Sequence, residues 1–290
     1  MDAKVVSFVN FKGGVGKTVS AVNISGFLAG EFGKKVLLVD VDPQANATLH
    51  LMEEERYCDE GGKTKIKTLY DVLEKYKAYT PSSSKIDLEN VILTNVVQKG
   101  PPNIVNLHLL PSDLRLVDAD REFTGDAKAV MLKRELEEVK GNYDYIIIDC
   151  PPNLSLLTRN ALFASDYCII PLIPDYLSTT GLHLLLNKLE EIGDEHRNIG
   201  KEPVKVKGVL FTRVQPNTKL HQERMTEVKN FLGKKNIPCF NYYVRNLIGV
   251  QEAPNEHLPL CCLKSQKKYA DAGSDYRNVT EEFIRILEGE

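Results

Sequence analysis

The stretch that decides the fold is KVVSFVNFKGGVGKTVSAVN, Lys4 to Asn23. Its start is rich in valine and phenylalanine, which predicts a short buried strand. Three glycines follow, Gly13, Gly14 and Gly16, and then a helical pattern running from about Lys17 to Phe32. A glycine loop between a strand and a helix is the setting in which Gly-Lys-Thr binds phosphate. Glycines let backbone N–H groups approach phosphate oxygens, and the helix N-terminus adds partial positive charge. Lys17 is then expected to reach the β- and γ-phosphates, with the Thr18 hydroxyl on Mg²⁺. The loop departs from the usual spacing in one respect. Phe11 stands where the first glycine belongs, and an additional cation, Lys12, follows it.

Five further runs read as strands: KKVLLVDVD from Lys34, VNLHLLP from Val105, YDYIIID from Tyr143, DYCIIPL from Asp166 and VKVKGVLFT from Val204. They are continuously apolar rather than alternating, the mark of strands buried on both faces. Helical patterns such as AVMLKRELEEVK and TTGLHLLLNKLEEIGDEH lie between them. The order predicts an α/β fold: a doubly wound, mostly parallel sheet with helices on both faces, of the P-loop NTPase class. One domain is expected over residues 1–290, elaborated by a loop-rich insertion at about 53–104 with a single helix at TLYDVLEKYK. The last helix is expected to be short and acidic, near YRNVTEEFIRILEGE.

Two strand ends carry acids. VLLVDVDPQAN closes on Asp40 and Asp42, and YDYIIIDCPP closes on Asp149. Taken singly, an Asp-Pro acid is most simply a turn or cap residue. In a doubly wound sheet, however, ligands sit at the carboxyl ends of strands. Three such ends would bring a phosphate cradle, a paired-acid loop and a Mg²⁺-facing acid to one crevice.

Composition narrows the function classes. The 290 residues are 42% hydrophobic and 27% charged, with no apolar run long enough for a bilayer and no leader-like start, so a cytoplasmic protein is expected. The six cysteines form no C-x-x-C pair, which argues against a metal cluster. Net charge is −3 but unevenly spread: residues 201–268 hold 13 Lys/Arg against 5 Asp/Glu, a balance of +8 that leaves −11 for the rest. Such a segment is either a solvated face or a polyanion footprint.

KGGVGKT, VLLVDVDPQANAT and YDYIIIDCPPNLSLLTRNAL together resemble the deviant Walker A, A′ and Walker B segments of the ParA/MinD family of ATPases, the ParA-type partition proteins in particular. The resemblance extends to DYCIIPLIPDYLSTTGL and VQEAP, and is poor only over 53–104. It implies an ATPase that uses ATP and Mg²⁺, forms a homodimer with ATP, and responds to a ParB-like or other stimulating partner. Lys12 becomes the signature lysine, reaching the nucleotide of the other subunit. Lys17 remains the cis phosphate lysine, and Asp42 would orient the attacking water. Gly13, Gly14, Val15, Gly16, Lys17, Thr18 and Val19 would line the phosphates, and Arg213 the base end. Thr18, Asp40 and Asp149 would hold Mg²⁺ and its waters. Val19 stands where relatives often carry threonine.

ParA-like ATP dimers bind DNA without sequence preference, which implies association with the nucleoid. The candidates here are Lys219, Arg245, Lys264, Lys267 and Lys268. Asn217 and Gly249 stand near places where related proteins often have arginine. No N-terminal helix-turn-helix extension is seen, so operator binding is not expected. Three alternatives share these motifs in part. A MinD-like membrane switch needs a cationic amphipathic tail, and a nitrogenase-iron-protein-like reductase needs paired cluster cysteines. A ParA-like ATPase that positions a non-DNA cargo, such as a microcompartment or chemoreceptor array, needs nothing further.

Overall fold

The computed structural model describes residues 2–77, 86–97, 104–123, 126–198 and 200–289. All six runs form strands: β1 (Lys4–Phe8), β2 (Val36–Asp40), β3 (Leu107–Leu110), β4 (Tyr145–Asp149), β5 (Tyr167–Leu172) and β6 (Lys205–Phe211). They pair in parallel in the order β3-β2-β4-β1-β5-β6. The chain leaves β1 toward β2 and β3, then returns through β4 and crosses to β5 and β6. The direction of winding therefore reverses around β1, and a crevice opens there at the carboxyl ends.

Both faces of the sheet are covered, which is why its strands are continuously apolar. Val6, Leu38 and Ile147 face one layer, with Ile24, Phe27 and Leu28 of α1 (Lys17–Gly30) and Tyr276, Val279 and Phe283 of a C-terminal helix. Their neighbours Val5, Leu37, Ile146 and Ile148 face the other layer, against α3 (Met131–Val139) and α4 (Leu156–Ala164) through Leu132, Leu136, Leu157 and Ala161. Each such side chain contributes roughly 1.5–3 kcal/mol by burial. A third cluster sets β5 and β6 against α5 (Tyr176–Asn198) and α6 (Lys219–Lys234). The short α2 (Asn46–Leu51) follows the β2 acids directly.

Within the 53–104 region, residues 78–85 and 98–103 lie outside the described residues. Its expected helix is present as Leu69–Leu73, tightening into a 3₁₀ turn at Glu74–Tyr76. Leu69, Val72, Leu73, Leu88 and Val91 pack into the same layer as Leu37 and Ile148, while Val96, Val97 and Ile104 pack under α1.

The last helix is a correction. It is not short: α7 runs from Ala270 to Glu288, 19 residues. Gly273, in its first turn, makes a close contact. A Cβ at that position would lie 2.7 Å from the Lys264 Cβ, so the glycine lets α7 close on the preceding turn. No helix among the described residues is long and apolar enough to cross a membrane.

Candidate nucleotide site

The glycine loop is built from the conformations only glycine adopts freely. Gly14 and Gly16 have φ of +73° and +83°. Gly16 precedes α1 without any side-chain cap, so the first N–H groups of that helix are left for a ligand. Thr212 Oγ1, just beyond β6, donates to the Val15 carbonyl at 2.7 Å, and Arg213 Nη1 donates to the Gly14 carbonyl at 3.2 Å. These bonds fix the carbonyl side of the loop. Arg213 itself has φ +51°, an uncommon conformation for a non-glycine residue. Val15 is fully buried, and Val19 packs against the α1 layer.

The two lysines of the loop have different surroundings. Lys17 is 6% exposed, and its Nζ donates to the Lys12 carbonyl at 3.2 Å. Burial lowers its pKa, with Asp149 and Asp42 working the other way. Lys12 lies at the rim, where its Nζ donates to Asp175 Oδ2 and to Ser178 Oγ, each at 2.9 Å. Both partners belong to the turn that starts α5. Desolvation pushes the Asp175 carboxyl up, but Lys12 and Ser178 together hold it below the ordinary range.

The three acids also differ. Asp40 and Asp149 are paired across β2 and β4, both fully buried. Asp40 is satisfied: Oδ2 accepts from Thr48 N and from Thr48 Oγ1, each at 2.8 Å, and Oδ1 from Asp42 N at 3.1 Å. Burial raises its pKa to about 7 against those bonds. Neither Asp149 oxygen completes a hydrogen bond. Burial and then Asp40 push its pKa well above the usual carboxylate range, and the nearby Thr18 hydroxyl and Lys17 offset only part of this. A buried carboxyl without partners, next to a threonine hydroxyl and a phosphate loop, fits a Mg²⁺ ion that keeps its waters. Asp40 is turned instead to α2, where it organises the acid loop. Asp42, 6% exposed, accepts from Gln44 N through Oδ1 at 2.9 Å and lines the cavity.

That cavity has a volume of about 520 Å³, ample for a nucleotide. Its walls are the glycine loop, Asp42, Arg213 and the segment Val244–Pro254. Arg245 is part of the wall. It is clamped by Asp275 of α7, with Nε and Nη2 donating to the carboxylate at 2.9 Å. Its place is thus among the pocket residues. Tyr276, missed in the sequence, closes the same end and meets the Ser20 hydroxyl at 3.2 Å. The other basic candidates lie on separate elements: Lys219 opposite Glu223 on α6, Lys264 paired with Glu31, Lys268 paired with Glu252, and Lys267 exposed. At Gly249 a Cβ would lie 2.7 Å from the Lys268 carbonyl, so an arginine has no room there.

The chain is similar to known proteins over most of its length. The sequence profile of an AAA domain family matches residues 3–200. Sporulation initiation inhibitor protein Soj of Bacillus subtilis is 35% identical over 273 residues, covering 94% of this chain and 96% of that protein. Chromosome-partitioning ATPase Soj of Treponema pallidum is 34% identical over 264 residues, covering 91% of each. Among solved structures, a putative plasmid partition protein from Borrelia burgdorferi bound to AMPPNP superposes with a TM-score of 0.69 at 25% identity, over 98% of this chain and 99% of that one.

Proposed function

This chain belongs to the ParA/MinD-type family of P-loop ATPases, and from that premise we propose that it is a Mg²⁺-ATP-dependent, dimerising ATPase that segregates or positions DNA. Its ligands are ATP and Mg²⁺. It acts as one domain over residues 1–290, binds DNA without sequence preference as the ATP dimer on the nucleoid, and hydrolyses ATP under stimulation by a ParB-like or other partner.

The observation that carries the reading is Asp149, buried and unpartnered beside Thr18 and Lys17 at an uncapped helix start. The loop amides and Lys17 hold the phosphates, while Thr18 and Asp149 hold the metal's shell. Bound Mg²⁺ supplies charge neutralisation at the phosphate oxygens. Asp42 projects into the cavity with Oδ1 already engaged, which leaves Oδ2 to orient a water. Lys12, on the rim, is the cation available to a second subunit's nucleotide. Its delivery across an interface would offset the repulsion between two facing triphosphates.

The test is DNA retention with ATP, ADP or no nucleotide, together with ATP turnover. DNA binding confined to the ATP state is expected. Equal DNA binding in all three states removes the switch, and absence of turnover removes the ATPase reading.

A further inference from the structure

We propose that Ser112 is a positioning residue for ATP hydrolysis, clamping the loop that carries Asp42, and that Tyr57 ties this clamp to the 53–104 insertion. The inference rests on the ATPase reading above.

Ser112 follows β3 and is fully buried. Its Oγ donates to the Asp42 carbonyl at 2.6 Å. Its N–H donates at 3.1 Å to Thr48 Oγ1, the same hydroxyl that donates to Asp40. One residue therefore holds both ends of the turn between the β2 acids and α2. The Asp42 N–H is meanwhile fixed on Asp40, and Ala45 N donates to the Asp42 carbonyl at 2.9 Å. With the backbone of Asp42 held on both sides, the direction of its carboxylate into the cavity follows. A misplacement of about 1 Å at such a group can cost 10²-fold in rate.

The third polar group of Ser112 faces the insertion. Its carbonyl accepts from the Tyr57 hydroxyl at 3.0 Å. The Tyr57 ring packs with Met52 and with Ala45, and Ala45 has φ +53° three residues after Asp42. A non-glycine residue in that conformation persists only where its surroundings hold it. Tyr57 thus supports the acid loop twice, by packing on its strained turn and by fixing the residue that clamps it. Beyond Ser112, Asp113 accepts from the Thr68 hydroxyl and from Arg115, and Arg115 also donates to Asp71, which anchors the clamp to the helical turn of the insertion. The insertion, far from the phosphates in sequence, becomes a brace for the water-orienting acid.

The experiment compares Ser112→Ala, Tyr57→Phe and the double variant in the full-length chain. It measures single-turnover hydrolysis and, separately, Mg²⁺-ATP affinity by calorimetry. Ser112→Ala should lower the hydrolysis rate at least tenfold while ATP affinity stays within twofold. Tyr57→Phe should lower it about threefold, and the double variant should be no slower than Ser112→Ala, because both act along one path. A Ser112→Ala rate within twofold of the parent overturns the proposal. So does a fall in affinity as large as the fall in rate, since that is a structural loss. If Ser112→Ala does not fold, Tyr57→Phe decides, and an unchanged rate there refutes it. A parent chain that binds ATP but never hydrolyses it overturns the ATPase reading, and the clamp with it.

Discussion

Lys12 is held at home by Asp175, so releasing it should favour the dimer. The perturbation is Asp175→Asn, which removes the charge but keeps an acceptor for the Ser178 N–H that opens α5. The side chains of Lys12 and Asp175 are 38% and 33% exposed, so the pair belongs with surface ion pairs, worth about 0.2–1 kcal/mol. A symmetric dimer breaks two of them, about 0.4–2 kcal/mol in all. At about 1.4 kcal/mol per tenfold, the dissociation constant of the ATP dimer should tighten by roughly 2- to 30-fold. Sedimentation with ATP, in an Asp42→Ala background that prevents turnover, reads this directly. The gain should shrink with added salt, because an exposed pair is screened. An unchanged or weakened dimer would refute the reasoning. Weakening would place Asp175 on the side of assembly, receiving a lysine within the dimer.

Lys17→Ala should weaken Mg²⁺-ATP binding at least tenfold by calorimetry, about 1.4 kcal/mol, and unchanged affinity would defeat the phosphate-loop assignment. Asp42→Ala should bind ATP and remain an ATP-trapped dimer on size exclusion with almost no hydrolysis, whereas normal turnover would move the water-orienting role elsewhere. Charge reversal at Lys267 and Lys268 together should weaken DNA binding and flatten its salt dependence while ATP binding survives. DNA affinity unaltered across salt would place the interface on another surface. His196, tilted against the Phe163 ring and fully buried, is pushed by desolvation from 6.5 to about 4. Its neutral form is favoured by folding, so its contribution is complete above about pH 6.5 and lost as pH falls toward 4, by up to about 1.4 kcal/mol per pH unit. His196→Leu should therefore show a shallower loss of stability than the parent between pH 7 and 5 in urea titrations, and equal slopes would contradict the burial argument.

The sheet was legible because burial on two faces leaves a simple trace. YIIID is wholly buried in β4, and the same holds for VLLVD in β2. The acids at their ends stood out against those runs, and parallel register set Asp40 beside Asp149 without further information. Polar residues that work through a partner left no such trace. Ser112 and Tyr57 lie 55 positions apart and meet only because β3 ends beside the β2 acid loop. Arg245 was visible only as one cation in a basic segment. Its bond to Asp275, 30 residues on, decides that it faces the cavity. Charge counting gives the sign of a region, whereas placement of each cation depends on pairs that sequence separation conceals.

The irregular start of the glycine loop has the same kind of explanation. Phe11 occupies the place of the missing glycine and packs against the β5–β6 layer, near residues such as Val9, Leu162 and Ile170. Asn10 adds a polar tie on each side, donating to the Pro171 carbonyl at 2.8 Å and accepting from Lys12 N at 3.0 Å. The loop is thus anchored one step before Lys12, and its backbone leaves the core at that lysine. Lys17, beyond the two left-handed glycines, turns back into the interior with its charge disfavoured by burial. One lysine is therefore committed to its own site, and the other is held at the edge by an acid it can exchange. An extra cation added without Phe11 and Asn10 would have no fixed point from which to reach outward. The lost glycine and the gained lysine are one structural change.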